Sequence, residues 1–377
     1  MIRRTGAQLY GDPALAAEEG TRVLGAVESF ITRYVVLPEA ARLPVTLWAV
    51  ATYMADCFDV FPYLSLSSPL PRCGKTRALE VLEQIVAKPW HGTNITGAAM
   101  FRFIQKEKPT LLLDEVELLS GKNPSDRSRE VLSILNAGYK KGQTVPRCVG
   151  PDNKIEQFNV YGPKAFAAIG SLPAALRDRC IIVPMHRRAP GERVERFRLA
   201  RARREAAPIK ADIERIVKDF TGNIEALYSS PLEIPFLSDR DEEVFAPLFS
   251  IFSVLAPDRV EELNECARAL CAAKAGDAVD DSLPLRLLAD IRTVWREGAN
   301  AMLTEELIQA LRALPESPWA ETGLTPYKLA GRLRDFGVRP RTVRTLEGRG
   351  KGYVREEMTR AFERYLPAEQ PESDSQA

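Results

Sequence analysis

Residues 68–76 read Ser-Pro-Leu-Pro-Arg-Cys-Gly-Lys-Thr. A glycine, a lysine and a threonine in succession, set between a strand and a helix, can hold phosphate. Backbone N–H groups at a helix start have no intrahelical partner, and the helix dipole adds positive potential there. Gly74 lets the backbone approach the ligand. Lys75 supplies an ammonium for the β- and γ-phosphates, and Thr76 offers a hydroxyl to a divalent cation. Arg72 and Cys73 belong to the same loop, Cys73 through its backbone. The usual pattern has a glycine five residues before Gly74, and here Pro69 stands in its place. For the tripeptide alone, the competing reading is an ordinary strand–turn–helix with an exposed lysine.

A second set of residues completes the chemistry. Thr110-Leu111-Leu112-Leu113 is a continuous apolar run that ends in Asp114-Glu115. Carboxylates at the end of a buried strand are costly to desolvate, and a bound cation removes the cost. Asp114, with Thr76, is placed to hold Mg²⁺. Glu115 is placed to orient or deprotonate an attacking water. The alternative is an acid pair that caps a helix. Ser171 follows the apolar run Lys164 to Ile169, at the carboxyl end where ligands of parallel sheets collect. It can face the γ-phosphate or cap a helix at 173–176. Arg177-Asp178-Arg179 precedes the next apolar run. Arg179 fits an arginine finger at a subunit edge, and a surface ion pair of Asp178 is the alternative.

The elements that must position these groups can be read from hydrophobic periodicity. Helices are expected over 14–58, interrupted near Pro44, then over 76–86, 98–106 and 129–139. Strands are expected over 60–66, 110–113, 164–169 and 180–184, and residues 67–74 form a loop. Alternation of this kind indicates an α/β fold with a parallel sheet and flanking helices. Charged and apolar helices follow from 187 to 273. Gly276 to Ser282 reads as an exposed acidic connection, and helices resume over 285–315. His91 is expected in a loop, and His186 is read as structural.

Bulk properties narrow the class. The chain has 377 residues, 45% hydrophobic and 27% charged, with a formal net charge of +1, so it is no general polyanion binder. The six cysteines form no CxxC pair and only two histidines exist, which argues against structural zinc and for reduced thiols in a cytoplasmic protein. No apolar stretch is long enough for a bilayer, and no signal peptide is read at the start.

Taken together, the sequence resembles a family of AAA+-like P-loop ATPases labelled as a domain of unknown function. The family occurs on phages, plasmids and integrated elements, alone or behind primase-type domains. The resemblance spans about residues 20 to 367. It rests on Leu47-Trp48, Ser68-Pro69 through Thr76, Pro109 through Glu115, Leu135 through Gly142, Gly162-Pro163-Lys164-Ala165, Leu176 through Arg179, and Gly352-Tyr353 through Leu366. The family is similar to replicative helicases of superfamily three, and its own loop begins with Ser-Pro. The resemblance implies ATP and Mg²⁺ as cofactors, hydrolysis, a homo-oligomer of ring form, and DNA as partner, beside replication or mobile-element proteins. It also implies that Lys140, Lys141 and Arg147 flank the Gly142 turn in a DNA-touching hairpin, with a solvated helix end as the alternative. Arg240 becomes a second γ-phosphate sensor at the start of a lid helix, or an exposed arginine in an N-capping turn.

Residues 328–364 carry eleven Lys and Arg against five Asp and Glu, a local excess far above the whole-chain charge. Pro326 opens a helix with Leu329, Leu333 and Phe336 on one face, and Gly337 closes it. Strands are expected on either side of a Gly348-Arg349-Gly350 turn, the outline of a winged-helix-like module. Arg339, Arg341, Arg344 and Lys351 group around that hairpin as DNA-binding candidates. The alternative is a basic face docked on the acidic connection around Asp277 to Asp281.

The expected organisation is an N-terminal helical segment (1–58), a P-loop ATPase core (59–190), a helical lid (191–284), the basic module (285–367) and a disordered tail (368–377). The expected function is a Mg-ATP-hydrolysing, DNA-dependent helicase or helicase loader of a mobile element. Two alternatives stand beside it: a slow nucleotide switch controlling assembly or DNA binding, and a defence or regulatory ATPase that acts on a protein partner.

Overall fold

The computed structural model describes residues 12–68, 71–92, 97–114, 126–149, 152, 154–169, 172–230, 234–281, 283–315, 317–320, 323–334, 336–345 and 347–366. Glu115, Ser171, the segment after the acid pair and the tail from 368 lie outside them. The chain divides into two compact units, Met1–Cys271 and Ala272–Ala377.

The first unit opens with α1 (Pro13–Tyr34), capped by the Asp12 carboxylate accepting from Ala14 N–H, and α2 (Glu39–Ala51). Then come β1 (Tyr63–Ser68), α3 (Lys75–Glu83), β2 (Pro89–Gly92), α4 (Gly97–Glu107), β3 (Thr110–Leu113) and α5 (Asp126–Ala137). A hairpin of β4 (Thr144–Val149) and β5 (Lys154–Asn159) precedes β6 (Lys164–Ile169), the short α6 (Ala174–Arg177) and β7 (Cys180–Pro184). Long helices α7 (Leu199–Tyr228), α8 (Asp239–Leu255) and α9 (Val260–Asp281) follow.

Five strands form one parallel sheet in the order β2-β3-β6-β1-β7. The central strands are covered on both sides, so their residues are apolar in runs rather than in alternation. All four residues of β3 are buried. The helix α3 packs on the sheet, and α1 and α2 pack with α7 and α8. Trp48 of α2 is fully buried and donates from Nε1 to Pro62 O at 2.8 Å, which ties the helical layer to the entry of β1. Gly20 is required where α1 meets the end of α8, since a Cβ there would lie 2.1 Å from Leu255 O.

Three expectations are corrected here. His91 lies in β2, not in a loop, and its Nδ1 is 3.0 Å from the Glu83 carboxylate. β1 begins at Tyr63; Val60 instead bridges Lys140. Residues 276–281 continue α9 instead of forming a connection.

The second unit contains α10 (Leu283–Val294), β8 (Ala301–Leu303), α11 (Thr304–Ala313), α12 (Pro326–Arg334), β9 (Arg341–Thr345), β10 (Gly348–Val354) and α13 (Arg355–Tyr365). Its sheet runs β8-β10-β9, antiparallel throughout. Trp319, Leu329, Leu333 and Tyr353 sit in its own core. Gly348, Arg349 and Gly350 belong to β10 and not to a turn. No single helix among the described residues is long and apolar enough to cross a membrane.

Candidate functional site

β1 ends at Ser68 and α3 begins at Lys75, so the loop between them delivers a helix start to the carboxyl edge of the sheet. Gly74 sits at φ +84, and a Cβ there would find only Met185 Cε at 3.9 Å. Backbone conformation, not space, therefore selects glycine. Arg72 also has a positive φ, +67. Lys75 is 8% exposed, and its Nζ donates to Ser68 Oγ at 2.5 Å. The ammonium is thus folded back over the loop, against the strand end, where a phosphate would lie. Arg187 reaches the same loop through Pro71 O at 3.4 Å. Thr76 is exposed in the first turn.

Asp114 follows directly after β3, which is separated from β1 by β6 alone. Two strand spacings put that edge position roughly 10 Å from the end of β1. Asp114 is half-buried and Thr76 is exposed. A hydroxyl and a carboxylate at one edge, beside an ammonium and the first N–H groups of a helix, are the donor set that Mg²⁺ with a polyphosphate needs.

A cavity of about 620 Å³ adjoins the loop, lined among others by Arg72, Gly74, Arg77, Tyr34, Val35 and Phe197. The Arg77 guanidinium lies 4.7 Å from the Phe197 ring centroid, and Tyr34 packs edge-on to that ring at 5.3 Å. Tyr34 donates to Glu205 at 2.6 Å, and burial together with that carboxylate raises its pKa. Sequence reasoning missed this cavity because its walls come from three distant segments with no motif of their own.

The other end of the sheet holds the arginines. Tyr63, the first residue of β1, is in register with Cys180 of β7, and its backbone N–H donates to Arg179 O at 3.0 Å. Tyr139 packs edge-on to Tyr63 at 5.9 Å. Arg179 and Arg240 both lie over the Tyr139 ring, at 5.8 and 5.5 Å from its centroid. Arg240 also pairs with Glu243, and Ser238 caps α8. β1 is about 17 Å long at its six residues, so neither arginine is near this chain's own Lys75. Arg240 stands at the start of α8, after the Ser238 cap, at the same end of the sheet as Arg179.

Lys140 and Lys141 lie at the root of the β4–β5 hairpin: Lys141 Nζ donates to Asp56 O at 2.7 Å. Arg147 is on β4, opposite Glu156 in register, with its guanidinium 5.6 Å from the Phe101 centroid. Gly142, at φ +84, turns the chain into β4 and is not the hairpin's tip. In the second unit Arg341 pairs with Glu357. Arg344 faces Arg349 directly across the hairpin, and Lys351 faces Thr342 two positions along. Side chains alternate across a strand, so Arg344, Arg349 and Lys351 share one face. Arg349 was missed as a candidate because its glycine neighbours read as a turn.

Residues 184–365 match the model of a family described as a protein of unknown function, DUF3631. The match begins at the end of β7 and excludes residues 68–76. No curated protein matches the sequence. Among solved structures, the chain is similar to the apo C-terminal region of NrS-1 at 10% identity and TM-score 0.41, over 89% of this chain and 75% of that one. The JCV helicase gives 11% identity and TM-score 0.31 over 71% and 72%. Drosophila ORC bound to DNA gives 10% and TM-score 0.21 over 96% and 95%.

Proposed function

We propose that this chain is a P-loop ATPase that hydrolyses Mg-ATP and works on DNA, as a helicase or helicase loader of a mobile element. One observation carries the reading: Lys75 opens α3 at the edge of the sheet, folded onto Ser68, with Asp114 at the end of the strand next but one. Lys75 neutralises the β- and γ-phosphates, and the first N–H groups of α3 bind their oxygens. Thr76 and Asp114 hold Mg²⁺, which draws charge from the phosphoryl oxygens when bound. Glu115 and Ser171 position the water. The cavity beside Phe197 takes the base and ribose, and Arg72 and Cys73 close the loop around the phosphates. Arg179, at the opposite end of the sheet, serves the site of a neighbouring copy.

DNA as partner is supported by the second unit. Its order α10-β8-α11-α12-β9-β10 is that of a winged helix, and like charges opposed across β9 and β10 are unfavourable without an anion between them. Arg339 precedes β9 and Arg341 opens it, as further DNA-binding candidates. Lys140, Lys141 and Arg147 offer a second basic region.

The test is hydrolysis and equilibrium nucleotide binding in Lys75→Ala and Glu115→Gln. The first should neither bind nor hydrolyse ATP. The second should bind MgATP and turn it over poorly. Wild-type turnover in folded Lys75→Ala removes the assignment.

A further inference from the structure

A second cavity, of about 270 Å³, opens at the amino ends of β2, β3 and β6, away from the phosphate loop. Each of these strands is entered through a proline: Lys88-Pro89, Lys108-Pro109 and Gly162-Pro163. Lys88 and Lys108 have φ of +42 and +47, and Gly162 has φ +140. Left-handed backbone is unfavourable for a side-chain-bearing residue, and a following proline restricts it further. Among the described residues only three non-glycine positions adopt it: Arg72, Lys88 and Lys108. All three are cations, and the first lies in the phosphate loop.

The walls of this cavity carry several donors beside one carboxylate, that of Asp56. Gln105 Oε1 accepts from Asn159 N–H at 3.0 Å, and Asn159 Oδ1 accepts from Tyr161 N–H at 3.0 Å. Each amide oxygen is thus occupied, and among the described residues neither NH₂ group donates a hydrogen bond. The Tyr161 hydroxyl is spent on Ala55 O and Phe58 O at 2.9 and 2.5 Å. Among the described residues, the Lys88 ammonium has no hydrogen bond or ion pair. Lys108 is held only by Asp56, at 3.4 Å and 72% exposed, a contact that water already screens. Two ammonium groups and two amide NH₂ groups around a small cavity make a receptor for an oxyanion.

We propose that this cavity is a second phosphate-binding site, in which Lys88, Lys108, Gln105 and Asn159 take a phosphate group. It is independent of the nucleotide reading, because none of the described residues of the loop at 68–76 lines it. Two sources carry the same chemistry: a free phosphate monoester, or the backbone of a nucleic-acid strand reaching the neighbouring Lys141.

The experiment uses the full chain carrying Lys75→Ala, which disables the phosphate loop, and measures phosphate binding by calorimetry. One phosphate per chain is expected. Lys88→Gly with Lys108→Gly removes both ammonium groups while giving the backbone the residue its φ favours. Affinity should fall at least about tenfold with no loss of thermal stability. Asp56→Asn frees Lys108 and should tighten binding. A short single-stranded oligonucleotide forms the second arm. Loss of its binding in the glycine variant assigns the source to nucleic acid, and binding of inorganic phosphate alone assigns it to a free monoester. The proposal is overturned if the Lys75→Ala chain takes up no phosphate saturably, or if neither the glycine variant nor Asp56→Asn changes the affinity.

Discussion

Lys164 shows what a single buried residue can impose. It is 1% exposed, and its Nζ donates to Val160 O at 2.8 Å, Gly162 O at 3.0 Å and Gly138 O at 3.4 Å. These carbonyls lie before and after the β4–β5 hairpin, so one ammonium ties both legs of the excursion to the sheet. Burial pulls its pKa down to about 7, while the carbonyls favour the charged form. An unfolded lysine stays protonated to about 10.4. Between these values the unfolded chain binds more protons, so stability should rise with pH across that window, by at most about 1.4 kcal/mol per pH unit. Below about pH 7 this contribution is flat. Lys164→Met should lose that slope, as read from denaturant melts between pH 6.5 and 9.5. An identical slope in the variant would place the titration elsewhere. At the candidate site, Thr76→Ala should raise the Mg²⁺ concentration needed for hydrolysis far more than the ATP concentration, as read from a two-dimensional titration.

At the scale of elements, the glycines of β10 show why some of the chain was illegible. Gly348, Arg349 and Gly350 look like a turn, yet they pair with β9, and the third strand, β8, lies close on the other side. A Cβ at Gly352 would lie 2.3 Å from Met302 O and 2.5 Å from Val343 Cγ2. Gly352→Ala should therefore cost about 1–3 kcal/mol in the second unit, measured by denaturant unfolding, with ATP hydrolysis the control. β8 has three residues, too few for a period, and β2 is four half-buried residues at a sheet edge. β5 exposes all but Phe158 and has no apolar face to announce it. By contrast β3, β6 and β7 were legible because strands buried on both faces must be apolar throughout. The loop at 68–76 was legible because its Gly-Lys-Thr run stands between a strand and a helix. The position of Arg240 was not, since a sequence does not say which end of a sheet a later helix visits. The face of Arg344, Arg349 and Lys351 yields a further expectation. Reversing the charge of Arg344 and Arg349 should flatten the log–log salt dependence of DNA affinity by about 0.9 per lost phosphate contact on duplex, by fluorescence anisotropy. Reversal at Arg341, already paired with Glu357, should do less.

At the scale of the whole molecule, Lys75 and Asp114 follow the carboxyl ends of β1 and β3, while Arg179 precedes the amino end of β7. On the proposed function, Arg179 therefore completes a phosphate site only in another copy. Lys75→Ala subunits mixed with Arg179→Ala subunits should regain hydrolysis at the interfaces where an intact loop meets an intact arginine. Mixed oligomers with no recovered turnover would remove Arg179 from that role.

The separation between these edges also sets how activity must scale with the amount of protein. Two copies related by a twofold axis cannot exchange such edges reciprocally unless the same patch carries both, so the association that the proposed role of Arg179 requires is head to tail. In any open row, the loop at one end lacks its arginine and the arginine at the other end is idle. Only closure leaves no incomplete site. Specific activity should then climb with total concentration until rows close, and simple dilution should silence the protein while every copy stays folded.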